Sequence, residues 1–247
     1  MSLSRGGLEP LFAQFQLTDS GFPSGLYTLS HGLEGYVQEG LIGSGEPSAR
    51  RPTDPLTDPL TDLLTDLLEN SVGPGDATAL VLAHRAVKSG DWDRVVEVDR
   101  RLHAIKLARE PRTASTRTGK QVLATAVSAL GSATAARLAD LVACEVTPGN
   151  HAVVIGVVHA GGGVPVTNAV AGDLHAFAAS FTAAAVRLGR TDFRRAQAIL
   201  REVRPVLARV ARAALDADDP RDVHGCVPVA DTVSAAHERA PARLFIT

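Results

Sequence analysis

Residues 151–159 read His-Ala-Val-Val-Ile-Gly-Val-Val-His, and the fold class turns on them. The run is rich enough in β-branched residues for a buried strand, yet a helix buried on all sides gives the same pattern. Its neighbourhood decides between them. Working outward, apolar residues recur at three- and four-residue intervals, which is a helical period. Short amphipathic helices are expected at 8–17 (Leu8, Leu11, Phe12, Phe15) and from Ser30 or Thr28 to about Leu41. Further helices are expected at 76–88, 92–108, 115–130 and 132–144, with Gly90-Asp91 as a stop and cap between the first two of these. Alanine-rich 173–188 and 191–214 follow, the latter bent at Pro205, and the tail 221–247 is loop-like and then weakly helical. One isolated strand would have no sheet to join. The expectation is an all-α, single-domain bundle of about eight to ten helices.

Residues 43–60 differ in character. Gly43-Ser44-Gly45-Glu46-Pro47 and Arg50-Arg51-Pro52 read as a linker, followed by Thr-Asp-Pro-Leu twice and Thr-Asp-Leu-Leu twice. Pro55 and Pro59 argue against helix in the first half. Beyond them Leu60, Leu63, Leu64, Leu67 and Leu68 share one face, with Asp62 and Asp66 opposite. A four-residue period is too short for a solenoid unit, so the repeat reads as an insertion at a helix start.

Composition excludes several functions. The chain has 247 residues, is 45% hydrophobic and carries a formal charge of −2, so no overall electrostatic grip on nucleic acid or anionic lipid is expected. Aromatics are 4%, too few for a base-stacking platform. Cys144 and Cys226 make no disulfide scaffold. No apolar run approaches the roughly 20 residues of a membrane span, and the N-terminus lacks a signal-peptide core, so a cytoplasmic, membrane-free protein is expected.

Catalytic motifs fail on mechanical parts. Arg117-Thr118-Gly119-Lys120-Gln121 lacks the phosphate loop's first glycine (Ala114) and its Ser or Thr (Gln121). Gly161-Gly162-Gly163 after the 151–159 run lacks the dinucleotide fingerprint's third glycine, at Val166. His224-Gly225-Cys226 offers two metal ligands at most. His151 and His159 read as capping and edge residues of a helix, and neighbouring carboxylates such as Asp216, Asp218 and Asp219 as solvent-facing. Arg187, Arg190, Arg194, Arg201 and Arg204 fall at helical intervals opposite Phe193, Leu200, Val203 and Leu207. They read either as a solvated face or as a basic patch for an acidic partner, and a nucleic-acid-binding regulator using 187–212 is the alternative function.

Residues 16–34, QLTDSGFPSGLYTLSHGLE, carry a resemblance. They resemble the N-terminal signature of the urease accessory protein UreF family, approximately Q-L-x-D-S-x-F-P-x-G-x-[FY]-x-x-S-x-G-L-E. Gln16, Leu17, Asp19, Ser20, Phe22, Pro23, Gly25, Tyr27, Ser30, Gly32, Leu33 and Glu34 all match. Three further blocks are similar and in order: Glu110, Arg112, Ser115 and Gly119; the stretch from Gly149 to Gly156 with Ala185-Val186-Arg187-Leu188 beyond; and the closing His237-Glu238 … Arg243-Leu244-Phe245. The chain departs from the pattern at Leu26 and at Gly189-Arg190-Thr191-Asp192-Phe193, where many relatives have a proline-containing turn.

The resemblance implies an all-helical protein without catalysis, cofactor or metal ligands of its own. It implies a complex with UreD (also called UreH) and the GTPase UreG that helps insert nickel into apo-urease, and usually a homodimer. It points to partner-binding or regulatory roles for Asp19, Ser20, Pro23, Gly25, Tyr27, Ser30, Gly32, Glu34, Glu110, Arg112, Ser115, Arg187, Arg243, Leu244 and Phe245. Physically, Asp19 and Ser20 suit hydrogen bonds to amides of their own loop, and Ser30 suits a helix cap. Glu34 either faces a partner or pairs internally, for instance with Arg187. The apolar end of the tail, beyond Arg239, is expected to insert into a groove on UreD rather than dock on its own helices.

Overall fold

The computed structural model describes residues 8–43, 58–240 and 242–245. Its α-helices are α1 (Leu8–Thr18), α2 (Leu33–Gln38), α3 (Pro59–Leu67), α4 (Thr78–Ser89), α5 (Trp92–Ile105), α6 (Arg109–Ser128), α7 (Ala133–Ala143), α8 (His151–Gly161), α9 (Val166–Arg187), α10 (Phe193–Glu202), α11 (Arg204–Asp216) and α12 (Pro228–His237). Among the described residues there is no strand. The all-α expectation holds, with more helices than the eight to ten expected.

The 151–159 run is helical and central. Every residue of α8 from Ala152 to Ala160 is buried, so the helix is apolar on all sides. It packs against α4, α6, α7 and α9. The approach of α4 is close because Gly156 has no side chain: a Cβ there would lie 2.5 Å from the Leu80 carbonyl oxygen. At the other end of α8, a Cβ on Gly119 of α6 would lie 2.0 Å from the Gly149 carbonyl oxygen. Gly119-Lys120 is thus the interior of a helix pressed on a neighbouring turn, not a phosphate-binding loop. His159 is fully buried, with Nδ1 3.0 Å from the Ile155 carbonyl oxygen, and is a core residue rather than the edge histidine expected.

The turn before α8 is held by one buried carboxylate. Asp99 of α5 accepts bonds from Thr147 Oγ1 (2.7 Å), Gly149 N (2.6 Å), Asn150 N (2.8 Å) and Asn150 Nδ2 (2.7 Å). Four donors satisfy a charge that would otherwise be costly to bury.

Several boundaries differ from expectation for identifiable reasons. Residues 44–57 of the linker lie outside the described residues, but the helix begins at Pro59, not beyond Leu60. Proline suits the first helical position, where its missing N–H loses nothing. The Asp58 side chain caps the helix by accepting from Leu60 N (2.9 Å). The leucine face is buried and Asp62 and Asp66 are exposed, as the spacing requires. Since Leu60 is core, a deletion of 53–60 removes both a cap and a packed side chain. The break expected before Gly75-Asp76 is absent. Leu68–Ala77 continues as π-helix containing Pro74, and joins α3 to α4 without interruption. That wider winding frees the carbonyls of Asn70 and Pro74, which accept from Cys226 N (2.9 Å) and His224 N (3.1 Å). The single helix expected over 191–214 is instead split at Val203, with Pro205 in the first turn of α11. Phe193, expected on the apolar side, is 69% exposed.

α9 is, among the described residues, the one helix long and apolar enough to cross a membrane, contrary to the expectation that no stretch would pass. Here it is a strut, packed by α1, α8, α10 and α11. Buried apolar residues from Leu17 to Val233 form one continuous core.

Gly119→Ala is expected to lower stability by about 3 kcal/mol, because the clash is with backbone that cannot rotate away. For a chain of this size that is a fall in melting temperature of about 6–12 °C. Gly43→Ala, with nothing within 4 Å, serves as the neutral control. Thermal unfolding followed by circular dichroism checks both, and an unchanged midpoint for Gly119→Ala contradicts the close approach.

Candidate functional site: a carboxylate–histidine clamp on the C-terminal tail

Four segments far apart in sequence converge on Glu34. Upstream, the Asp19 carboxylate accepts from Gly21 N (2.6 Å), making the expected Asx turn, while Ser20 and Pro23 are exposed and Ser20 makes no such bond. Gly25 and Gly32 hold positive φ (81° and 85°) at the two ends of a short 3-10 turn and its exit. The N-cap of α2 is Gly32 rather than the expected Ser30, but Ser30 is buried and its Oγ still accepts the Glu34 N–H of the first turn at 3.2 Å. Gly35 lets α12 lie on α2, since a Cβ there would be 2.5 Å from Val233 Cγ1.

The result is a closed polar cluster. His237 of α12, 2% exposed at its side chain, stands between two buried carboxylates: Nε2 is 3.2 Å from Glu34 Oε2 and Nδ1 is 2.8 Å from Glu110 Oε2. An ionised carboxylate only accepts, so both ring nitrogens donate when the ring is a cation. Arg243 Nη1 donates to Glu110 Oε1 at 2.8 Å. The two carboxylates thus face the His237 ring and the Arg243 guanidinium. Glu34 also takes the tail's backbone: Leu244 N donates to Oε1 (2.7 Å) and Phe245 N to Oε2 (2.8 Å). The Glu238 carboxylate accepts Glu110 N (3.2 Å) at the start of α6.

Two expectations change here. Carboxylates do not pair only on solvent faces: Glu34 and Glu110 are a buried pair, and their bridging residue, His237, was absent from the candidates although it opens the closing motif. The tail does not leave the monomer empty-handed either. Phe245 is 4% exposed and docks on the protein's own helices, while Leu244 is 66% exposed. A buried carboxylate needs donors, and the tail's two amides supply them.

Arg187 is not the ion-pair partner of Glu34. Its guanidinium carbon lies 4.1 Å from the Tyr27 ring centroid and 4.4 Å from that of Phe245, and Nη1 donates to the Tyr27 carbonyl. It is a cation sandwiched by two aromatic faces. Tyr27 is 71% exposed on its outer side. Arg112 sits at the half-buried start of α6 beside Glu110, and Ser115 is buried with its Oγ accepting His151 N (3.3 Å) at the start of α8. The structure therefore brings together Tyr27, Ser30, Glu34, Glu110, Arg187, Arg243, Leu244 and Phe245. Asp19, Ser20, Pro23 and Gly25 shape the loop leading in, with Gly32 at the helix junction.

Beside the clamp lies a cavity of about 190 Å³ walled by Leu29, His31, Ile105, His151, Phe177 and Val227, among others. His31 is a non-glycine residue at φ 55°, with its ring edge-on to Phe177 and Nε2 2.9 Å from Ser180 Oγ. Burial, reinforced by the positive fields of His151 and Arg187, pushes its imidazole down to about 3. Among the described residues no group of three or more His, Cys, Asp or Glu is placed to hold a metal ion, and both cysteines are exposed.

Two outcomes follow from this chemistry. Glu34→Ala strands two tail amides and one imidazole N–H, at a cost of about 3 kcal/mol. Trypsin should then cut after Arg243 roughly tenfold faster or more, with Glu34→Gln intermediate. Equal cleavage of all three proteins removes Glu34 as the tail's anchor. Separately, His31 stays neutral when folded but takes a proton near pH 6.5 when unfolded. The unfolded chain then binds more protons between about pH 6.5 and 3, so stability falls as pH drops through that window. Burial lowers His84 and His159 in the same direction. Melting temperature should decrease from pH 7 to pH 5, and His31→Asn, which tolerates the same backbone, should shallow the decrease. An identical slope contradicts the burial of that ring.

The UreF family model matches residues 57–204, more than half of the chain. The urease accessory protein UreF of Trichodesmium erythraeum (strain IMS101) is 31% identical over 237 residues, covering 94% of this chain and 95% of that protein. The urease accessory protein UreF 2 of Brucella canis is 27% identical over 249 residues (99% and 95%), and UreF of Bacillus sp. (strain TB-90) 28% over 244 (97% and 100%). The alignments to these relatives span nearly the whole length of both chains. By the family match and by these relatives, the chain belongs to the UreF family of urease accessory proteins.

Proposed function

We propose that this chain is a non-enzymatic scaffold of urease maturation. Together with UreD (UreH) and the GTPase UreG it assists GTP-dependent insertion of nickel into apo-urease, and it modulates UreG's GTPase activity or the fidelity of metal delivery. The observation that carries the reading is the clamp. It holds the end of the chain rigidly while leaving Tyr27 and Leu244 outside, an apolar pair beside arginines whose charges are already engaged. That is the form of a contact hot spot rather than of a reaction centre. Clamp and tail together make the partner-binding element, contacting UreD.

A homodimer in the cytoplasm completes the proposal. Its support is α1, where Leu8, Phe12 and Phe15 are exposed along one face, an apolar stripe suited to a self-complementary contact.

The test separates docking from folding. Leu244→Asp alters an exposed side chain, so the melting transition should stay put while co-purification with UreD and activation of urease in cells are lost. Truncation after Arg239 should lose both and also lower the melting temperature, since it unseats Phe245 and strands Glu34. The isolated chain should show no saturable GTP binding by calorimetry. Undiminished co-purification of Leu244→Asp with UreD overturns the tail's role.

A further inference from the structure

The corner between α10 and α11 carries a surface that the clamp does not use. Phe193 opens α10 and is 69% exposed, the most exposed phenylalanine among the described residues. The turn that presents it is rigid: the Asp192 carboxylate accepts both Arg194 N (2.7 Å) and Arg195 N (2.9 Å). On a helix, positions 193, 194, 197 and 201 fall within one arc of about 100°. All four, Phe193, Arg194, Gln197 and Arg201, are exposed, and Arg204 follows at the start of α11, also exposed.

The arginines of this face differ from those around them. Arg195, on the inner side, is bound by Glu202 (2.7 Å) and Asp58 (2.9 Å), and Arg209 is bound by Glu69. Arg194, Arg201 and Arg204 form no salt bridge among the described residues, and Arg194 leans over the Phe193 ring at 5.8 Å. An exposed aromatic ring beside guanidinium groups that form no salt bridge has the composition of an interface core, in which aromatics and Arg are enriched.

We propose that this corner docks an acidic protein partner through an amphipathic helix or ridge, with an apolar spot receiving Phe193 and carboxylates meeting Arg194, Arg201 and Arg204. Charge complementarity identifies the partner. A protein fits better than nucleic acid, because a single ring is present rather than interleaved aromatics and because Asp192 and Glu202 sit at the border of the face. The surface stands independently of the tail's role in urease maturation.

The test uses the full chain and two fluorescent probes of comparable charge, read by anisotropy: an acidic amphipathic helical peptide with one leucine face, and a single-stranded DNA 20-mer. A peptide of the same composition with its order scrambled is the control. The chain should bind the amphipathic peptide, and affinity should fall roughly tenfold or more for Phe193→Ala and for Arg201→Glu/Arg204→Glu. Binding should weaken as salt rises from 50 to 300 mM, since exposed charges are screened over about 10 Å at 0.1 M. Arg201→Lys/Arg204→Lys should retain part of the affinity. All variants lie on the exposed face and should keep the wild-type melting temperature and co-purification with UreD, which separates this proposal from the tail's. No binding of the peptide, equal binding of the scrambled peptide or DNA, or variants that bind as wild type each overturn it.

Discussion

The rest of the structure depends on α8 being surrounded. A helix with no polar face cannot touch water without exposing its apolar surface, at roughly 25 cal/mol per Å². The helices that cover it must therefore come close, and the backbone sets the limit. Gly156 admits α4, and Gly119 admits the turn leading into α8. That turn is in its place because Asp99 supplies acceptors for its amides. The order of dependence is physical: a buried charge fixes a turn, the turn starts a helix, and the helix gathers the others.

The clamp is a second instance of the same constraint, applied at the end of the chain. Glu34 and Glu110 enter the interior from α2 and α6, whose positions follow from packing around α8 and α9. Once there, each needs donors, and α12 with the tail provides them: an imidazole, a guanidinium and two backbone amides. Removing any one donor leaves a buried acceptor short, so the tail is held by obligation of hydrogen bonding more than by apolar area. Among its described residues, 242–245, only Phe245 is buried.

Much of this was legible in residue order, and the failures have physical causes. The leucine face of α3 followed from spacing alone. The β-branched run 151–159 was ambiguous because full burial erases periodicity, and only the lack of a second strand decided it. The π-helical join at 68–77 was illegible because Gly73-Pro74-Gly75 has the composition of a turn, and the partners of its freed carbonyls come from residues 224–226, about 150 positions away. The clamp was visible only in fragments: Glu34, Glu110 and Arg243 were candidates from three separate blocks, yet nothing local says that His237 joins them. Long-range pairing of polar side chains leaves no period to read. Phe193 misled because helical spacing gives a face, not which face a neighbouring helix will cover.

The two surfaces with interaction character differ in how their charge is arranged, and the difference bears on what each is for. In the clamp the polar groups are paired with one another and largely buried, so ions in solution screen them little, and what remains outside is apolar. Such a contact gains most from fit and holds a partner in one register. At the α10–α11 corner the guanidinium groups are exposed and form no salt bridge, so their field extends into solvent and weakens with salt. Long-range attraction of that kind speeds encounter and selects by charge, while adding less to the final hold. A scaffold that must seat one component firmly and receive others reversibly needs both kinds of surface. Here they are set by the same rule applied with opposite outcome: where helices bring acids and bases together the charge is closed, and where a turn holds the helix end outward the charge is left open.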